Sequence, residues 1–210
     1  MNTYLNELNN LPVSKVIKEM RKYAEANKVP IINDEGLIFM LQLVDLKKPK
    51  RFLEIGTAIG FCAINLATYD SDIIVDTIEK NEIMFAQALK NVQNARLEKR
   101  INVYLGDALD FDLSKLQKDY DMIFIDAAKA QYIKFFEKYE QLLAEDGLIV
   151  SDNLLFHGFV ENTKIIEHRN LRQLVDKIQD YNEFLAKHRS YHTNFFAVGD
   201  GIAVSKRVKK

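Results

Sequence analysis

Three patterns predict an α/β protein with a mostly parallel, seven-stranded sheet, N-terminal helices and a C-terminal antiparallel hairpin. Between residues 50 and 151, short apolar runs alternate with segments of helical period. The first run, Phe52-Leu53-Glu54-Ile55, passes straight into Gly56-Thr57-Ala58-Ile59-Gly60 and then a helical pattern from Phe61. Near the end, Tyr191–Val198 and Ile202–Ser205 flank Gly199-Asp200-Gly201, a turn between two strands.

Taken in order, residues 13–27 carry apolar positions at helical spacing, and Lys28-Val29-Pro30 ends that helix. A second helix runs to about Val44, with Asn33 or Asp34 as its N-cap and Gly36 near its start suggesting close packing. These two helices form an N-terminal layer (residues 1–46) on a core of residues 50–210, within one domain spanning 1–210. The remaining strands are expected at Asp72–Ile78, Ile101–Leu105, Met122–Ile125 and Gly147–Ser151. Helices are expected from Asn81 to about Ala95, after Asp126 through Phe135 to Leu142, and over 164–186. Strands this apolar, separated by helices, belong to a sheet covered on both faces.

Bulk properties exclude several classes. With 29 basic and 30 acidic residues the net charge is −1, so no global charge favours nucleic acid. Basic clusters at Lys47-Lys48, Lys50-Arg51 and Lys206–Lys210 are local, and only the last suggests contact with phosphates. One cysteine, Cys62, allows neither an internal disulfide nor a cysteine-rich metal site; a small buried hydrophobe is its plain reading. The first residues lack the basic-then-apolar pattern of a signal peptide, and no run is long enough to span a bilayer. A cytoplasmic location without membrane association is expected. The apolar faces of the N-terminal helices leave a homodimer possible.

The chemistry is expected at the carboxyl ends of the strands, where open α/β sheets bind ligands. The glycine turn lacks the third glycine of a dinucleotide fingerprint. Its acid, Glu54, would repel a pyrophosphate but accept hydrogen bonds from a cationic amino-acid moiety. Five successive strands end in acid: Glu54, Glu79, Asp107, Asp126 and Asp152. Carboxylates converging on one rim repel each other unless a cation sits among them. Glu79 stands where an acid accepts hydrogen bonds from ribose hydroxyls, and Asp107 where it would meet the adenine end. Asp126, Asp152 and Asn153 are oxygen donors from adjacent strand tips, suited to Mg²⁺ or Mn²⁺. Lys129, one helical turn beyond Asp126, would face the same cavity and could take a proton from a bound hydroxyl. A lone lysine at a helix start is more often a solvated surface residue.

Leu53–Gly60, Phe124-Ile125-Asp126-Ala127-Ala128-Lys129 with Tyr132, and Asp152-Asn153-Leu154-Leu155 together resemble the metal-dependent O-methyltransferases related to the catechol and caffeoyl-CoA enzymes. The resemblance covers nearly the whole chain and implies a Rossmann-like class I methyltransferase. Val29–Ile32, Phe156-His157-Gly158 and Val198–Gly201 bring it nearest to bacterial members that methylate 5-hydroxyuridine in tRNA. It implies S-adenosyl-L-methionine held by Ile32, Glu54, Gly56, Gly60, Cys62, Glu79, Asp107 and Asp126. A metal on Asp126, Asp152 and Asn153, and Lys129 as base, follow with it. At Cys62 the family often carries a serine, a stronger hydrogen-bond donor than a thiol. The implied partner is a tRNA anticodon loop, whose wobble base can be splayed into a pocket.

Other readings compete. The motifs equally suit a small catechol-like acceptor, because both substrates offer two neighbouring oxygens to the metal. A non-catalytic binder would have no reason to keep Asp126, Lys129, Asp152 and Asn153 together. A nicotinamide oxidoreductase is opposed by the glycine spacing.

Overall fold

The computed structural model describes residues 4, 8, 9, 11–163, 166 and 168–208. Helices α1 (Lys15–Asn27) and α2 (Asp34–Lys47) lie ahead of the first strand. Ser14 caps α1 by accepting the Ile17 N–H, and Asn33 caps α2 by accepting the Gly36 N–H. A Cβ at Gly36 would lie 3.1 Å from Ile32 Cγ1, so the close packing expected there is found.

The core alternates β1 (Arg51–Ile55), α3 (Phe61–Tyr69), β2 (Ile74–Glu79), α4 (Glu82–Asn94), β3 (Ile101–Leu105), β4 (Tyr120–Ile125), α5 (Tyr132–Tyr139) and β5 (Leu143–Ser151). Helix α6 (Arg169–Lys187) and the hairpin β6 (Tyr191–Phe196) and β7 (Ile202–Arg207) complete it. The sheet has seven strands in the order β3-β2-β1-β4-β5-β7-β6. Strands β1 to β5 are parallel; β7 runs antiparallel between β5 and β6. The expected α/β sheet with its antiparallel close is thus what the chain forms.

Strand side chains alternate between two apolar layers. Phe52, Val75, Met122, Phe124 and Val150 pack with residues of α1, α2 and α3. Leu53, Ile55, Ile123, Ile125 and Ile149 pack on the other face with Phe136 of α5 and Tyr181 of α6.

Several boundaries differ from expectation. Strand β2 begins at Ile74, because Asp70 accepts the Asp72 N–H in a turn. Strand β5 starts four residues early, at Leu143, which pairs with Tyr120 across an irregular register. Leu143-Ala144-Glu145-Asp146 gives no strand signal of its own, so pairing overrides propensity. Helix α5 is short, ending at Tyr139, with a 3₁₀ turn at Glu140–Leu142. Helix α6 begins at Arg169; residues 164, 165 and 167 of its expected start lie outside the described residues. No helix among the described residues is long and apolar enough to cross a membrane.

Candidate active site

Strand order reverses between β1 and β4, and the strands' carboxyl ends open there into a cleft of about 880 Å³. Gly56 closes the seam between these strands. Its φ is +105°, and a Cβ on it would lie 2.1 Å from the Asp126 carbonyl oxygen. The Asp126 N–H in turn donates to the Ile55 carbonyl at 3.0 Å. Gly60, at φ +80°, caps α3 without any side-chain bond to its first turn.

Ile32, Gly56, Glu79, Asp107, Asp126, Lys129, Asp152 and Asn153 all border the cleft. Glu54, Gly60 and Cys62 do not; they form a layer beneath it. Five acids on one rim is therefore corrected to four, because Glu54 lies one residue inside β1 with 1% exposure. There it accepts the Thr77 hydroxyl at 2.6 Å, and Thr77 meets Thr57 at 2.6 Å. Burial pushes the Glu54 carboxyl up to about 8; bonds from Thr77 and the Cys62 thiol oppose the rise, and Asp126 and Glu79 add to it. Cys62 directs its thiol at Glu54, and burial together with that carboxyl pushes the thiol up.

The upper acids are held by main chain. Glu79 accepts the Ala58 N–H at 2.8 Å with one oxygen and the Asn81 N–H at 2.9 Å with the other. It thereby ties the glycine turn to the start of α4. Asp107 accepts the Leu109 N–H at 2.9 Å. Ile32, buried between α1 and α2, closes the cleft from the N-terminal layer.

Asp126, Asp152 and Asn153 meet at the floor. Asp152 is 2% exposed and accepts the Asn153 N–H at 2.6 Å. Asn153 has φ +65° and brings its amide within 3.4 Å of Asp126. Burial raises both carboxyls above the ordinary range; Asp126 raises Asp152 further, and Lys129 pulls both back. With the Asn153 amide turned to present its oxygen, these residues fit a hard divalent cation, whose charge would offset the burial of the two carboxylates. Among the described residues no three His, Cys, Asp or Glu side chains gather to hold a metal, so further ligands would be water or substrate oxygens.

Lys129 faces the cleft, but not by the helical spacing expected. Asp126 follows β4 directly, and Lys129 opens a separate 3₁₀ turn, Lys129–Gln131. An irregular step at Ala127-Ala128 turns them to one cavity. The Lys129 Nζ lies 5.9 Å from the ring centre of Phe156, and that ring stands 5.3 Å from His157.

Sequence reasoning missed Asp200 as a site residue. It borders the cleft, and its carboxylate accepts the His157 N–H at 2.5 Å. Only the Gly-Asp-Gly turn signalled it, because its partner lies 43 residues away.

A doubly wound sheet of this order, with an acidic cleft at its switch point and a closing antiparallel hairpin, defines the class I methyltransferase arrangement. Comparison with known proteins narrows this: the O-methyltransferase family profile matches residues 6–208. The chain belongs to that family and is an O-methyltransferase. The caffeoyl-CoA O-methyltransferase of Stellaria longipes is 26% identical over 93% of this chain and 84% of its own. A Staphylococcus aureus structure, given provisionally as a caffeoyl-CoA O-methyltransferase, is 44% identical, covers 98% of each chain and has a TM-score of 0.92. The Bacillus cereus O-methyltransferase in complex with SAH is 25% identical, with 99% of this chain and 96% of that one covered and a TM-score of 0.83.

Proposed function

We propose that this enzyme transfers the methyl group of S-adenosyl-L-methionine to a hydroxyl adjacent to a second oxygen, using Mg²⁺ or Mn²⁺. The acceptor proposed is the 5-hydroxyl of a wobble 5-hydroxyuridine in tRNA. The observation that carries the chemistry is the grouping of Asp126, Asp152, Asn153 and Lys129 beside the glycine turn, on one cleft floor. A Bacillus cereus fold neighbour bound to SAH supports the donor.

In this reading Glu79 and Asp107 hold the nucleoside of the donor, and the backbone from Gly56 to Gly60 holds its amino-acid end. Glu54 and Cys62 act from beneath, fixing the turn through Thr77. Asp126, Asp152 and Asn153 would hold the cation, which when bound favours the oxyanion form of the acceptor. Lys129 takes the hydroxyl proton at Nζ. Ile32 and Phe156, which both line the cleft, narrow its space for solvent. Holding acceptor and donor in line lowers the barrier by removing the entropy of their encounter.

The tRNA assignment rests on resemblance at Val29–Ile32, Phe156–Gly158 and Val198–Gly201, with Lys80 at the cleft as a cation for phosphate. The basic tail does not add to it. Arg207 bonds the Glu140 and Leu143 carbonyls at the far end of β5, and Lys206 pairs with Asp146 at 3.6 Å. Lys209 and Lys210 lie outside the described residues. The names of caffeoyl-CoA relatives favour a second reading, a free catechol-like acceptor.

The test is nucleoside mass spectrometry of tRNA from a strain lacking the gene. Beside it, hydroxyuridine-bearing tRNA is incubated with protein, S-adenosylmethionine and Mg²⁺, with and without chelator. Methoxyuridine lost in the strain and restored only with metal supports the proposal. Unchanged tRNA with chelator-sensitive methylation of a catechol moves the acceptor to the second reading.

A further inference from the structure

The hairpin tip between β6 and β7 is wedged against two separate walls of the cleft. On one side the Leu154 N–H donates to the Gly201 carbonyl at 3.0 Å, and the Leu155 N–H donates to the Asp200 carbonyl at 2.8 Å. The His157 N–H completes the set by donating to the Asp200 carboxylate at 2.5 Å. On the other side the Gly199 N–H donates to Glu35 at 3.2 Å. There is no room to spare: a Cβ at Gly199 would lie 2.7 Å from the Asn33 amide oxygen, and one at Gly201 would lie 2.7 Å from Leu155 Cγ.

What the tip holds is strained. Phe156 and His157 have φ of +46° and +57°, a conformation that side chains with a Cβ rarely adopt. Adjacent left-handed residues persist only where the surroundings over-determine them, and such strain collects at functional sites. Helix α6 supplies part of the restraint, since Asn182 donates to the Leu154 carbonyl and Gln179 to the Val160 carbonyl. Neither of those bonds reaches the Phe156-His157 step. Asp200 does, and its second carboxylate oxygen is buried without a hydrogen bond, 3.6 Å from His157 Nδ1. A buried acceptor left open beside an exposed imidazole is costly for stability alone.

We propose that Asp200 is a positioning residue for the acceptor. Its carboxylate holds the Phe156-His157 turn as the wall facing Lys129, and so sets acceptor capture without touching the methyl donor. The inference rests on the reading above that Lys129 takes the acceptor's proton, which brings the acceptor to the wall that Phe156 forms 5.9 Å from Lys129 Nζ.

The experiment compares Asp200→Ala, which removes the acceptor of the His157 N–H, with Asp200→Asn, which keeps an oxygen there. Both are assayed with hydroxyuridine-bearing tRNA and with 3,4-dihydroxybenzoate, SAH affinity is measured by calorimetry, and amide exchange is followed over residues 154–158. Asp200→Ala is expected to raise KM for the acceptor about 10- to 100-fold, with faster exchange of the His157 amide and SAH affinity unchanged. Asp200→Asn is expected to restore KM to within about threefold of the original. Unaltered KM in Asp200→Ala, equal losses of SAH and acceptor affinity, or unaltered exchange over 154–158 would each overturn the inference. Failure of the tRNA reading would instead show in the unmodified enzyme, as turnover of the catechol alone. The variant-to-parent ratio is then read on that probe.

Discussion

Gly56 and the Asp126 carbonyl stand so close that a single added carbon would sit 2.1 Å from that oxygen. The contact joins the turn after β1 to the tip of β4, the two pieces of chain that border the switch point. Gly56→Ala must therefore separate the strands or break the turn. Overpacking costs about 1–3 kcal/mol and left-handed strain about 1–2 kcal/mol more. A loss of at least about 2 kcal/mol in urea unfolding, together with lost SAH binding, is expected. Unchanged stability would show that the seam relaxes freely.

Glu54 gives a pH signature. Its folded carboxyl is raised to about 8 from an ordinary 4.5, so the folded chain keeps a proton that the unfolded chain releases between those values. The stabilising contribution is fully present below pH 4.5 and is lost as pH rises through about 8. Glu54→Gln should flatten that decline, making the ligand-free variant more stable than the parent at pH 8, while the gap closes in acid. The same variant should bind S-adenosylmethionine more weakly. Thermal unfolding across pH, with calorimetry of the donor, checks both.

Among the described residues, Lys129 is the one lysine that both borders the floor acids and faces the Phe156 ring. Lys129→Met should lower kcat about 10²- to 10⁴-fold, the range for loss of a general base. SAH affinity should stay nearly constant. A large loss of SAH binding would place this lysine with the donor instead.

Away from the cleft, Asp76 is buried with Tyr120, Asn102 and Tyr104 around its carboxylate. Tyr120→Phe strips one donor and leaves an oxygen of Asp76 unanswered. A destabilisation of about 1–3 kcal/mol without change in KM is expected. A change in KM at constant stability would link this cluster to the site.

The strand–turn–helix around Gly56 was legible because the apolar run, the tight turn and the helix start all act within about ten residues. The backbone that Gly56 approaches, at Asp126, carries no such local signal. The acids at strand ends were legible for the same reason, since each follows its own apolar run. What failed depended on partners far away in sequence. Glu54 looked like a tip residue until Thr77, 23 residues on, drew it beneath the floor. Lys129 was expected on a helix with Asp126, whereas the step at Ala127-Ala128 delivers it. The early start of β5 at Leu143 comes from pairing with Tyr120, and no local pattern encodes it. Asp200 was invisible as a site residue because its role exists only when the hairpin lands on the loop after β5.

The placement of β7 between β5 and β6 bears on synthesis at the ribosome. Strand β6 has no partner of its own in the sheet until β7 follows it, and β5 presents a bare apolar edge until then. A nascent chain emerging in order can assemble the parallel strands, yet it cannot raise the wall over Lys129 before residues 200–207 leave the exit tunnel. Interrupted translation anywhere before Ile202 would yield products that are inert and prone to pair at β5. Strand β7 thus makes two properties depend on one late segment: a product cut short before it loses the wall of the cleft and keeps a sticky sheet edge together.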